Sequence, residues 1–367
     1  MVELFTGAYG DNLQEEGAAD RNRSMQNALN AFLGGLSGAD LGMLERTALT
    51  VVALEDGIDT HAWAGHRHQE VHYSASLVKL LAMYAAHTLR FFSETVRQEQ
   101  HPATADDLFV AVDSAFTTPI KNHVPMKIKA VHGAAGAKIV PAYRTVLKAE
   151  VDSSGKPIAV VFAPGYASDL ERMLLHQEND GAAACIHGVA FGFMNGKSAD
   201  DGFFNLVDQR GIWLAGDYLG QWTPVPIPST NDGLVAQATT AIDMARLFTR
   251  MFDGSLESGA PADLFHMLAG SGRSWFHDRG VWSTQPGQRL VATHSKVGIG
   301  PLKPNSAGIV EQVVSEALIV HDRTRHMNFV VVWQNLKVPK EPGQPKRPAL
   351  ERVARMVESA VLGFVPT

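Results

Sequence analysis

The chain has 367 residues, 45% hydrophobic and 19% charged, with 33 glycines and 18 prolines, an ordinary globular composition that excludes disordered and collagen-like classes. Its net charge of −6, with no run of Lys and Arg, argues against nucleic acid as a partner. The length fills two average domains, or one large enzyme with an inserted lobe, and is ample for a core built without disulfides or metals.

Cys185 is the only cysteine, so no internal disulfide forms, and its apolar run Ala182-Ala183-Ala184-Cys185-Ile186 predicts a buried, inert thiol. Met1-Val2-Glu3-Leu4-Phe5 has neither the basic nor the apolar region of a signal peptide. No stretch approaches the ~20 apolar residues of a membrane span. A cytoplasmic protein with no membrane partner is therefore expected.

In chain order, residues 1–45 are polar and glycine-rich apart from one amphipathic stretch at 25–33. Leu49-Thr50-Val51-Val52-Ala53-Leu54 reads as a buried strand stopped by the turn Glu55-Asp56-Gly57. A second strand from His61 to Val71 would complete a hairpin. From Ser76 to about Phe91 apolar residues fall on nearly every face, which predicts a helix buried at the centre of a domain. Residues 99–165 alternate Gly/Ala-rich and basic pieces and read as an insertion. Helices are expected again at 167–177 and 240–252. The second has Met244, Leu247, Phe248, Met251 and Phe252 on one stripe and Thr240 with Asp243 as a capping box. Between them, Gly211 to Gln237 reads as an ordered loop. Strands follow at 289–296, 315–320 and 326–334, and Pro348 opens an amphipathic helix with Leu350, Val353, Ala354, Val357 and Val361 inward.

Strands at both ends with helices between them predict an α+β fold. A mixed or antiparallel sheet is built from both chain ends and flanked by helices, with an inserted all-α lobe. The expected division puts 1–75 together with 255–367 in the sheet domain. Residues 76–254 form a mainly helical domain carrying the insertion at about 99–165.

Within this frame one pair of residues suggests chemistry. Ser76 and Lys79 are three positions apart, so on a helix they share a face with Cβ atoms ~5–6 Å apart. A serine in the first turn lies at the positive end of the helix dipole, which favours developing negative charge. Burial should lower the pKa of Lys79, and a neutral amine beside a hydroxyl is a general base for it. S-x-x-K alone also describes a serine cap followed by a snorkelling lysine; its position after a hairpin and at the start of a buried helix favours the chemical reading.

Tyr73-Ser74-Ala75-Ser76-Leu77-Val78-Lys79-Leu80-Leu81 resembles the S-x-x-K segment of class A β-lactamases and penicillin-binding proteins. Leu170 to Asp180 is similar to the helix leading into that family's S-D-N motif. Thr239 to Leu247 resembles the helix after its omega-type loop, and Thr293-His294-Ser295-Lys296-Val297-Gly298 the strand bearing K-T-G. The order and rough spacing agree from about residue 46 onward. The resemblance implies a β-lactamase/transpeptidase-like fold with Ser76 as nucleophile, Lys79 as its base, Asn179 orienting Lys79 and the substrate, and Lys296 supplying positive charge. It also implies an oxyanion hole from the N–H groups of Ser76 and Ile299, with Gly298 permitting close backbone approach.

The departures bear on the substrate. Gln177-Glu178-Asn179 keeps the asparagine of the second motif but replaces its serine by an amide, so Gln177 is expected to bind substrate rather than relay protons. Lys296-Val297-Gly298 replaces the threonine that, in the family, helps hold the substrate carboxylate. The loop Gln221 to Asp232 contains no glutamate to activate a deacylating water, and Asp232 is its only carboxylate. Little or no classical β-lactamase activity is therefore expected.

Three other patterns compete. His66, His68, Glu70 and His72 alternate, so a strand there would project all four from one face and could suit zinc. Gly192-Phe193-Met194-Asn195-Gly196-Lys197-Ser198 imitates a phosphate loop but fails its spacing and reads as a glycine turn. No serine sits in G-x-S-x-G, which removes the α/β-hydrolase class. The expected function is a serine acyl-transfer hydrolase acting on a small-molecule ester, amide or lactam with no metal or organic cofactor. The alternative is a non-catalytic relative that binds a ligand; a biosynthetic transacylase or a zinc-dependent hydrolase follows behind.

Overall fold

The computed structural model describes residues 2–7, 12–13, 20–56, 60–256, 268, 274–282, 287–339 and 345–365. The chain divides into two compact units. A helical unit comprises Met1–Ala8, Lys79–Ile227 and Leu256–Met267, and a sheet unit comprises Tyr9–Val78, Pro228–Ser255 and Leu268–Thr367.

The sheet unit is organised by strand Ala48–Leu54, buried on both faces. It pairs with Met327–Pro339 on one side and Trp63–His66 on the other; Glu311–Asp322 and Leu290–Pro301 continue the sheet beyond Met327–Pro339. All these pairings are antiparallel, so the expected sheet built from both chain ends is present. One face carries Leu49, Val51, Leu318, Val331 and Trp333. It packs into a core with Met25 and Leu29 of helix Asp20–Gly34 and with Val353, Val357 and Val361 of helix Arg347–Gly363. These two helices meet closely at Gly363, where a Cβ would lie 2.5 Å from that of Ala28.

The other face, with Thr50 and Val52, is covered by helix Ala241–Asp253. At its start one bond of the expected capping box is present: the Asp243 N–H donates to Thr240 Oγ1 at 3.0 Å. Its assignment is corrected. The expected boundary placed residues up to 254 in the helical domain, whereas Pro228–Ser255 belongs to the sheet unit. The physical reason is that Ala48–Leu54 has two apolar faces, and the stripe of this helix buries the second.

The expected strand from His61 to Val71 is also corrected. It ends at His66, because Arg67 takes a left-handed φ of 48° and the Glu70 N–H closes a turn onto the Arg67 carbonyl at 3.0 Å. His72 and Tyr73 then pair with Gln237–Thr239 in a different sheet. The four alternating side chains on which the zinc reading rested do not share a strand face.

In the helical unit, helix Lys79–Gln100 buries Leu80, Leu81, Ala82, Met83, Ala85 and Ala86 completely. Around it lie helices Ala105–His123, Pro164–Leu174, Asn179–Val189 and Phe191–Asp200. Part of the segment read as an insertion is helix Ala105–His123, opened by a Thr104–Asp107 capping box. Another part is a hairpin of Leu147–Val151 with Pro157–Phe162. The supposed glycine turn at 192–198 is helical instead. Gly192 and Gly196, four apart on one face, let this helix approach the Ile139 backbone and the His123 carbonyl at distances no side chain would allow. Among the described residues no helix is long and apolar enough to cross a membrane.

Candidate active site

Ser76 lies on the 3-10 turn Ala75–Val78 rather than on the α-helix expected there; the α-helix begins at Lys79. Periodicity does not separate a 3-10 turn from the first turn of a helix, since both bring residues three apart to one side. The turn rests on strand Leu290–Pro301 through two glycines. A Cβ on Gly298 would sit 2.3 Å from the Ser74 carbonyl oxygen and 2.8 Å from the Leu77 nitrogen, and one on Gly300 would meet the Tyr73 hydroxyl at 2.5 Å. No other residue fits at either place without moving the turn. Ala75, just before the serine, is left-handed at φ 51°. Ser76 itself is half-buried.

Alternation along the strand sends Val297 and Ile299 toward the hydrophobic core and puts Lys296 on the face of Gly298 and Gly300, which meets the serine turn. Lys296 is buried, and its Nζ donates to the Val297 carbonyl at 3.0 Å. Next to it, Ser295 Oγ donates to Glu316 Oε1 at 2.7 Å. Burial pushes the Glu316 carboxyl up to about 8, against hydrogen bonds from Ser274, Ser295 and the Trp275 N–H.

Within the helical unit, Lys79 is wholly buried. Its Nζ donates to the carbonyls of Gln177 and Glu178 at 3.1 and 3.2 Å and to Asn179 Oδ1 at 3.0 Å. It also stands 4.7 Å over the ring of Tyr218. None of these partners is a carboxylate, and burial lowers the Lys79 pKa to about 8. The turn that supplies the oxygens is itself clamped. Arg172 holds Glu178 at 2.8 Å and Asp169 at 2.9 Å. Gly181 lets helix Asn179–Val189 close to where a Cβ would be 2.8 Å from that of Arg172. Gln177 meets Lys79 through its carbonyl, on a left-handed backbone of φ 57°.

A second feature of this unit is absent from the sequence reading. Asp217 is buried and accepts the N–H groups of Leu219, Gly220 and Trp222 at 3.2, 2.7 and 2.8 Å, and His187 Nε2 lies 3.1 Å from it. His187 in turn stacks on Trp222 with centroids 4.1 Å apart. The loop that presents Tyr218 is thus tied to one carboxylate. The signal was available in Asp217-Tyr218-Leu219-Gly220, since an aspartate two or three residues before a glycine reads as a side-chain-capped turn. Glu316 had one too, as a lone charge in the apolar run Val313 to Val320.

The structure therefore brings Lys79, Gln177 and Asn179 together in the helical unit, and the Ser76 turn, Lys296, Gly298 and Ile299 together in the sheet unit. Cys185 is buried as expected, and burial raises its thiol well above the ordinary range. Among the described residues no group of three His, Cys, Asp or Glu side chains is placed to hold a metal.

No protein-family model and no curated protein matches the chain. Among solved structures it is similar to the TLA-3 extended-spectrum β-lactamase, with a TM-score of 0.50 and 11% identity over 92% of this chain and 97% of that one. It is equally similar to the TLA-1 extended-spectrum β-lactamase, at 0.50 and 11% over 95% of this chain and all of that one. At such identity the likeness is one of fold. The chain has the fold of these β-lactamases.

Proposed function

We propose that this protein is a serine acyl-transfer hydrolase that works through a Ser76 acyl-enzyme on an ester, amide or lactam. The observation that carries the reading is Lys79. It is a fully buried lysine with no carboxylate partner among the described residues, lowered to about 8, and it follows three residues after a serine held on a glycine-fitted turn. An amine with that pKa is partly neutral near pH 7 and can take a proton.

In the proposed reaction Ser76 Oγ attacks the carbonyl carbon while Lys79 Nζ accepts the hydroxyl proton. The oxyanion is received by the N–H groups of Ser76 and Ile299. The tetrahedral adduct then collapses: the bond to the leaving group breaks, and the proton held by Lys79 passes to that group. Asn179 fixes the amine, and Lys296 adds positive charge on the strand face that meets the turn. Asp232, the only carboxylate of the Gln221–Asp232 loop, accepts the Lys303 N–H at 2.6 Å through its side chain. This favours slow or absent β-lactam hydrolysis and transfer of the acyl group to water by another route, or to an amine or alcohol.

Intact-mass analysis with a fluorophosphonate and a fluorescent penicillin tests the reading. One adduct is expected on the wild type and none on Ser76→Ala. Lys79→Ala should be acylated at least 100-fold more slowly, within the usual range for a lost general base (~10²–10⁴). Failure of the wild type to take any adduct would favour a ligand-binding relative, and a Lys79→Ala variant acylated at the wild-type rate would remove Lys79 as base.

A further inference from the structure

The loop after Asp217 carries a residue that no motif of the acyl-transfer reading includes. Tyr218 takes a left-handed backbone at φ 65°, a region that glycine enters without penalty and a tyrosine does not. Gly220, two positions later, takes the same region at φ 71°. The chain thus keeps an aromatic side chain where the backbone favours none. That ring lies under Lys79 Nζ at 4.7 Å, inside the ~6 Å reach of a cation–π contact. The loop is not free to drift, because Asp217 grips three of its N–H groups and His187 braces Trp222.

We propose that Tyr218 is a positioning residue for Lys79: the face of its ring holds the amine in place and stabilises its protonated form. The proposal deepens the acyl-transfer reading and rests on Lys79 as its base. The other groups that face Lys79 in this unit share this task without bringing a negative charge to it. Gln177, Glu178 and Asn179 offer neutral oxygens, and the Glu178 carboxylate is held by Arg172. The Cys185 thiol is uncharged, and Asp217 is turned to its own N–H donors and His187.

The sign of the effect follows. A ring that favours the ammonium opposes the lowering caused by burial, so weakening it makes Lys79 neutral at lower pH. The full chain carrying 13C at the lysine Cε positions, with the Lys79 signal assigned by its loss in Lys79→Arg, reports this titration without any turnover. Tyr218→Phe should titrate like the wild type, and phenylalanines of increasing ring fluorination at 218 should lower the midpoint stepwise. Tyr218→Leu should end about one pH unit below wild type. The fluorinated series preserves the shape of the side chain, so it decides the matter even if Tyr218→Leu fails to fold. A midpoint that stays constant across the series, or falls as far in Tyr218→Phe as in Tyr218→Leu, overturns the proposal. The pH limb of Ser76 modification by a fluorophosphonate should move with the midpoint. A midpoint that follows the ring in a protein whose Ser76 takes no adduct would sink the acyl-transfer reading alone; an adduct with an unmoved midpoint would sink the role of Tyr218 alone.

Discussion

Asp217 in the helical unit and Glu316 in the sheet unit are both carboxylates withdrawn from solvent, yet their acidities move in opposite directions. Burial pushes Asp217 up, but hydrogen bonds from His187 and from the Trp222, Gly220 and Leu219 N–H groups outweigh it and leave the group below its ordinary value. Burial pushes Glu316 up to about 8 because two hydroxyls and one N–H do not offset full enclosure in an apolar core. The balance between the donors and the extent of enclosure sets the sign in each case. The contrast separates two uses of a buried acid. Asp217 is held toward its anionic form by the loop it orders, and Glu316 is driven toward its neutral form by enclosure while it links neighbouring strands at Ser295.

The comparison breaks most readily at Asp217. Asp217→Ala leaves three N–H groups and an imidazole without their acceptor and should cost about 3–5 kcal/mol in denaturant unfolding. The amides of Leu219, Gly220 and Trp222 should lose hydrogen-exchange protection together, and unchanged protection would show that the loop is ordered by something else. Glu316→Gln sharpens the other half. Its folded pKa lies above the ordinary 4.5, so its stabilising contribution is full below that value and is lost as pH rises through about 8. The wild type should lose on the order of a few kcal/mol between about pH 5 and about pH 9, and the glutamine variant should lose much less. Asp217 has the reverse sign: its contribution holds at neutral pH and fades on acidification through the carboxylate range. The smallest effect is expected for His187→Phe, which keeps a ring over Trp222 but removes the bond to Asp217. About 1 kcal/mol should be lost. A loss as large as that of Asp217→Ala would mean that the imidazole, and not the backbone donors, sets the state of Asp217.

The sheet was legible because its strands carry their burial in their composition. Leu49 to Leu54 is apolar on both faces, and the three later strands are flanked by turn residues. The capping pair Thr240–Asp243 was legible because it is local. The unit to which that helix belongs was not, since choosing between two apolar partners requires knowing which face of which strand remains uncovered. The His61–Val71 segment misled for a related reason: alternating polar residues imitate a strand, and only the left-handed Arg67 shows the turn. In the candidate site, spacing put Ser76 and Lys79 on one side of a helix, whereas Asn179, Lys296, Gly298 and Ile299 were indicated only by the family resemblance. The oxygens around Lys79 could not be named from spacing, because two of them are backbone carbonyls and carry no side-chain signature. Tyr218 is recognisable only once the loop is folded around Asp217.

The pairing of Ala48 with Gln334 joins segments from nearly opposite ends of the sequence. During synthesis at ~5–20 residues per second, strand Ala48–Leu54 leaves the ribosome roughly 15–60 s before its partner exists. Through that interval an apolar segment with two sticky faces waits while the residues of the helical unit emerge. Pairings so distant in sequence carry a large loop-closure cost and as a class form slowly. Until then helix Asp20–Gly34, already synthesised, is the element that can cover one of its faces, as it does in the finished core.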